Sequence, residues 1–204
     1  MASSSAVTLT NTGFIYGGCE HAYDQVTSLC FYHEVTKVSV LLFHAGNEHK
    51  ADLDIYAEGL PKPIKIRTGF SLNPLADNPM TDNYAASQKR AKSVVALYEH
   101  LAKQTFQFRL QRYVNMMDKH GFFFYDSKKV FADGRISDGN RQLNFNTDRP
   151  IHRKPFEVYF ETKKTPGEHL LNVLVWRQDF IISTKHDADV FFFLIKRLFG
   201  LEWK

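Results

Sequence analysis

Four sets of residues in this 204-residue chain have types and spacings that suit chemistry. Lys65 and Arg67 alternate with Ile64 and Ile66, with Lys62 just before them, and Lys89, Arg90 and Lys92 follow in a helical stretch. A strand presents alternate side chains on one face, and the start of a helix presents unpaired backbone N–H groups, so both suit phosphate. Further on, Lys128, Lys129, Arg135, Arg141, Arg149, Arg153 and Lys154 are interleaved with Phe124, Tyr125, Phe131 and Phe145. There the cations would neutralise phosphates and the rings would stack on unpaired bases. Cys19, His21, Cys30 and His33 form a Cys2His2 set of the kind that holds zinc. Asp148, followed by Glu161-Thr162-Lys163 on a predicted strand, makes a fourth set of two carboxylates and a lysine.

Each set also has a plainer reading. Alternating lysines suit an edge strand that must not aggregate. Basic hairpins with inward rings are ordinary surface structure. A cysteine near a histidine is more often a small buried residue beside a surface one. Short carboxylate–lysine patterns recur by chance.

Two resemblances follow from these residues. The basic strand with Lys65 and Arg67, followed by helical segments bearing Lys89, Arg90 and Lys92, resembles the DNA-binding ribbon of ribbon-helix-helix regulators over roughly a quarter of the chain. The strand-to-helix loop here departs from that pattern, being long and carrying Pro74 and Pro79. The resemblance implies a homodimer that pairs two ribbons. Asp148 with Glu161-Thr162-Lys163 resembles the aspartate and E-x-K arrangement of restriction-type nucleases. It implies Asp148 and Glu161 as Mg²⁺ ligands and Lys163 as the lysine that helps position the attacking water, although Thr165-Pro166-Gly167 follows where that family has a helix.

Charge is unevenly spread. Residues 1–61 carry seven acids against Lys37 and Lys50, whereas residues 62–112 carry nine bases against Asp77, Asp82 and Glu99. Residues 128–164 carry nine bases against five acids. Such asymmetry marks a face for an anionic partner or a solvated surface. No stretch reaches the ~18 apolar residues of a membrane span. The start, Met1 to Thr10, lacks the basic and apolar regions of a secretory signal. With only two cysteines, no disulfide framework is expected, and the expected compartment is the cytoplasm. Phosphate loops, dinucleotide turns, nucleophile elbows and H-E-x-x-H helices are missing from the sequence.

The elements that must position these residues read as α+β. A β-branched and aromatic run predicts a strand over Val38–His44, and alternation predicts strands over Ala51–Ala57 and Pro63–Thr68, with a turn at Gly46-Asn47 between the first two. A long central helix, or a helix pair broken near Thr105-Phe106, is predicted from a cap at Thr81 or Asp82 to a stop at Gly121. Hairpin signals stand at Asp133-Gly134 and Asp138-Gly139-Asn140, and strands are predicted at Phe156–Glu161 and within Leu170–Ile182. A final helix is predicted from a cap at Asp187 or Asp189 to Gly200. The expected molecule is one domain over 1–204, with 1–12 frayed and mostly antiparallel sheets flanking the central helix.

The leading expectation is a non-enzymatic nucleic-acid-binding protein without cofactor, possibly a DNA-binding regulator. Its contacts would come from Lys65, Arg67, Lys89, Arg90, Lys92, Arg141, Arg149 and Arg153. Binding of that kind weakens steeply with salt. The alternatives are a metal-dependent nuclease and an assembly or adaptor subunit, the latter marked by an exposed aromatic patch and no nucleic-acid affinity.

Overall fold

The computed structural model describes residues 7–40, 43–68, 79–144, 151–154, 157–160 and 180–200. The fold is α+β, with antiparallel sheets, one long helix and a C-terminal helix. The chain forms two compact units, Met1–Leu110 and Gln111–Lys204. No helix among the described residues is long and apolar enough to cross a membrane.

In the first unit, β1 (Thr8–Leu9), β2 (Gly13–Tyr16) and β3 (Cys19–Ala22) form a small antiparallel sheet. A second sheet contains β4 (Val26–Val40), β5 (Phe43–Ala57) and β6 (Ile64–Arg67), in that order. The alternation of the sequence sets its faces. Leu29 on β4, Ala51, Leu53 and Ile55 on β5, and Ile64 on β6 are buried, while Asp52 and Asp54 take the opposite face. Helix α1 (Pro79–His120) covers the dry face with Ala91, Val94 and Leu101. Phe31 of β4 stacks flat on Tyr98 of α1, with ring centroids 4.1 Å apart. Burying each of these large side chains contributes about 1.5–3 kcal/mol.

Three expectations are corrected here. Gly46-Asn47 is not a turn, because β5 continues through it, with Val38 opposite Gly46, Lys37 opposite Asn47 and a β-bulge just before Gly46. Glycine is needed at 46 for a different reason. A Cβ there would lie 2.7 Å from Tyr84 Cε2, so the bare backbone lets the tyrosine of α1 approach. The helix does not break near Thr105, whose hydroxyl donates to the Leu101 carbonyl at 2.7 Å and so binds within the helix it was expected to interrupt. Nor do Thr81 and Asp82 precede the helix. It opens with Pro79, a residue suited to the first turn because its missing N–H would be unpaired there anyway.

The C-terminal stop is as expected. Gly121 takes φ 75°, and its N–H donates to the Met117 carbonyl at 2.7 Å. In the second unit, β7 (Phe122–Tyr125), β8 (Lys128–Phe131), β9 (Arg135–Ser137) and β10 (Gln142–Asn144) form an antiparallel meander. Asp133-Gly134 and Asp138-Gly139-Asn140 both lie in its turns, as predicted. The first reversal, at Asp126-Ser127, went unread because neither residue is glycine, yet both take positive φ, 46° and 63°. β11 (Ile151–Lys154), β12 (Glu157–Phe160) and β13 (Phe180–Ser183) form a third sheet, and α2 (Ala188–Phe199) ends at Gly200.

Asp187 occupies the N-cap position of α2 but does not cap it with its side chain. Its buried carboxylate instead accepts from the Tyr113 hydroxyl at 2.9 Å. Tyr125 stacks on Phe191 of α2 at 3.9 Å and donates to the His186 carbonyl at 2.5 Å. Burial pushes its phenol far above the ordinary range, so it stays neutral. The Asp126 carboxylate accepts from the Ser183 N–H at 2.7 Å and from Lys128 Nζ at 2.8 Å, joining the first hairpin to β13. These bonds fix the meander on which the candidate interface stands.

Candidate nucleic-acid interface

The basic strand is present, but its arginine is engaged with acids of the neighbouring strand. On the outer face of the first unit's large sheet, Arg67 stands opposite Asp52 and Lys65 opposite Asp54. Arg67 Nη1 is bonded to Asp54, and its Nε lies 3.9 Å from Asp52 Oδ2. Lys50 Nζ approaches Asp52 Oδ2 from the other side at 3.6 Å. The bond to Asp54 raises the guanidinium's pKa, with desolvation opposing it. A ribbon that reads DNA needs cations facing outward without such acids beside them, and Arg67 is instead built into the sheet.

The helical bases are exposed. Lys89 and Lys92, with Ala85, Gln88, Ser93 and Ala96, line a shallow groove of 390 Å³, and Arg90 is exposed nearby. They do not open the helix, however. Lys89 lies ten residues beyond Pro79, about 15 Å along the axis. The pull of a helix N-terminus on anions fades within its first turn. The bases and the helix end therefore do not act on one phosphate.

The meander has a dry face and a wet one. Phe123, Tyr125, Val130, Ile136 and Leu143 are buried on one side. Register places Phe122 opposite Phe131 and Phe124 opposite Lys129 on the other side. Phe124 is 51% exposed. Phe122 meets Phe124 edge to face at 5.3 Å and Phe131 at 5.6 Å. Lys129 Nζ sits 4.9 Å from the Phe122 ring centre and 5.8 Å from that of Phe124. Arg135 lies over Phe131 at 4.6 Å while its Nε donates to Asp133 at 2.6 Å. His120, at the end of α1, lies 5.9 Å from Phe122. Three rings and two cations thus share one open surface.

Arg141, another predicted contact, donates to Asp138 Oδ2 through Nε at 3.1 Å and Nη2 at 3.0 Å. It stabilises the β9–β10 turn. Arg153 lies on β11. Arg149, Asp148, Glu161, Lys163 and Phe145 lie outside the described residues. Tyr125, a sequence candidate for stacking, points into the core. Phe122 was overlooked as a surface ring, although Phe122 to Tyr125 must alternate once Asp126-Ser127 is a tight turn.

The zinc set is not brought together. Cys30 and His33 are three apart on β4, and a strand sends such residues to opposite faces. Cys30 pairs in register with Asp54 of the wet face, whereas His33 pairs with buried Ala51. His21 lies on β3 against the Phe14 ring, and Cys19 is exposed. No group of three or more His, Cys, Asp or Glu residues suited to a metal occurs among the described residues.

Comparison of the chain with protein-family models, with curated proteins and with solved structures finds no match among any of them.

Proposed function

We propose that the protein binds nucleic acid without cleaving it, through the outer face of the β7–β10 meander. The observation that carries this reading is the exposed ring of Phe124, flanked by the half-buried rings of Phe122 and Phe131, with Lys129 and Arg135 beside them. Cations attract phosphate, and ring faces attract bases. The reading keeps the class of function expected from sequence but shifts its centre from the basic strand to the meander.

An assembly or adaptor subunit is the second reading, favoured by the same exposure of Phe124. The two differ in one measurement: binding of labelled single- and double-stranded DNA and RNA to the full chain, with Mg²⁺ and with chelator. The nucleic-acid reading predicts binding in both conditions with the probe intact. It also predicts that Lys129→Glu weakens binding on the order of tenfold while Lys65→Ala leaves it unchanged. Absence of binding to all four probes would favour the protein partner. Cleavage only with Mg²⁺ would favour the nuclease.

A further inference from the structure

Resting on the reading that the meander face binds nucleic acid, we infer that its ligand is an unpaired strand held mainly by base stacking on the exposed ring of Phe124, beside the half-buried Phe122 and Phe131, with Lys129 as the principal phosphate contact. Two observations lead there. The first is geometric. The rings lie on a sheet surface, Phe122 and Phe124 two residues apart on β7 and Phe131 opposite Phe122 on β8. A base can offer its flat face to such rings only when it is out of a duplex, since pairing and stacking cover that face inside one.

The second observation concerns the cations. Basic residues of the meander largely serve acids of their own turns: Lys128 holds Asp126 at 2.8 Å, Arg135 holds Asp133 at 2.6 Å and Arg141 holds Asp138 at 3.0 Å. Lys129 differs, because its ammonium lies over the Phe122 and Phe124 rings. A ligand is therefore offered about one to two phosphate contacts here, counting Lys129 and a share of Arg135. A protein that grips duplex backbones releases many more counterions than that. So small a charge leaves the rings as the main source of affinity.

The salt response separates the two modes. For a single strand the logarithm of affinity falls with slope of about −0.7 per phosphate neutralised. One to two contacts then predict a loss of about three- to sevenfold between 50 and 200 mM salt. Eight contacts, the number of bases picked out from sequence, would predict a loss above about a thousandfold.

The test is a titration of the full chain against a fluorescent twelve-nucleotide oligothymidylate and against a hairpin duplex of matched length, at 50 and 200 mM salt. The expected result is a preference for the single strand of at least about tenfold, with the shallow salt response above. Phe124→Ala should lower single-strand affinity by about 5- to 150-fold, the usual worth of one stacked base, and Phe124→Trp should retain it. Because Phe124 is a surface ring, both variants should keep the parent's melting temperature. If duplex and single strand bind equally and Phe124→Ala changes neither, the stacking inference is overturned while the nucleic-acid reading survives. If neither probe binds, both fall.

Discussion

Arg67→Ala distinguishes a sheet-building arginine from a DNA-reading one. In the wild type this guanidinium bonds Asp54, lies 3.9 Å from Asp52 and reaches the Ile66 carbonyl at 3.2 Å. Its removal leaves two carboxylates side by side on β5, with side chains only 19% and 13% exposed. Asp52 Oδ1 is buried with no hydrogen-bond donor among the described residues, so it depends on the nearby positive charge. A fully exposed pair would be worth about 0.2–1 kcal/mol, and breaking a fully buried one would cost about 3–5 kcal/mol. This network lies between those limits and Arg67 is itself 43% exposed, which points to about 1–2 kcal/mol. With a urea dependence of about 2 kcal/mol per molar, the unfolding midpoint should fall by about 0.5–1 M. Asp54→Asn in the same background should recover part of the loss by removing one of the repelling charges. Nucleic-acid affinity should be unchanged. A variant with the parent's urea midpoint and a sharply weakened affinity would refute this reasoning and restore the basic strand as the interface.

Three further outcomes follow from the same structure. Gly46→Ala should destabilise the first unit by about 1–3 kcal/mol in urea unfolding, and the loss should shrink in a Tyr84→Ala background, where the obstructing ring is gone. Tyr113→Phe removes one donor, at 2.9 Å, from the buried Asp187 carboxylate and should cost the second unit about 1–3 kcal/mol, the usual worth of a hydrogen bond to a charged group; an unchanged melt would show that this bond contributes nothing. The Arg141 N–H holds the Asp138 carboxyl below the usual range, helped by the Asn140 N–H and opposed by desolvation. A lowered folded pKa means the carboxylate's contribution is fully present above about pH 3.9 and is lost as pH falls through the folded value. The Arg141 amide resonance should therefore move with a midpoint below about 3.9.

Much of the architecture can be read from residue patterns because those patterns have local causes. Leu53 and Ile55 alternate with Asp52 and Asp54, and that period of two is what a half-buried strand requires. Gly121 and Gly200 stop their helices because each adopts positive φ at low cost. The failures occurred where a contact, tertiary at Gly46 and within the helix at Thr105, outweighs the signal of the residue type. Gly46 reads as a turn residue, yet it is required by a ring from a helix about forty positions away. Thr105 reads as a helix breaker, but its hydroxyl finds a partner inside the helix.

Site residues were harder to read for a related reason. Composition reveals cations but not their partners, so Arg67 looked available until Asp52 and Asp54 were placed beside it. Arg141 is likewise held by Asp138 three residues earlier, a pairing visible in the sequence but undecidable without the turn geometry. Conversely, Phe122 to Tyr125 reads as one apolar block. Only the Asp126-Ser127 reversal determines that Phe122 and Phe124 face outward while Phe123 and Tyr125 face the core.

Amide hydrogen exchange of the full chain, with and without a saturating twelve-nucleotide single strand, tests the central claim most directly. The account predicts that protection gained on binding is concentrated in residues 119–137, which include the outward rings and Lys129, with no change over residues 62–67. Protection over residues 62–67 or 85–96 with none on the meander would contradict it.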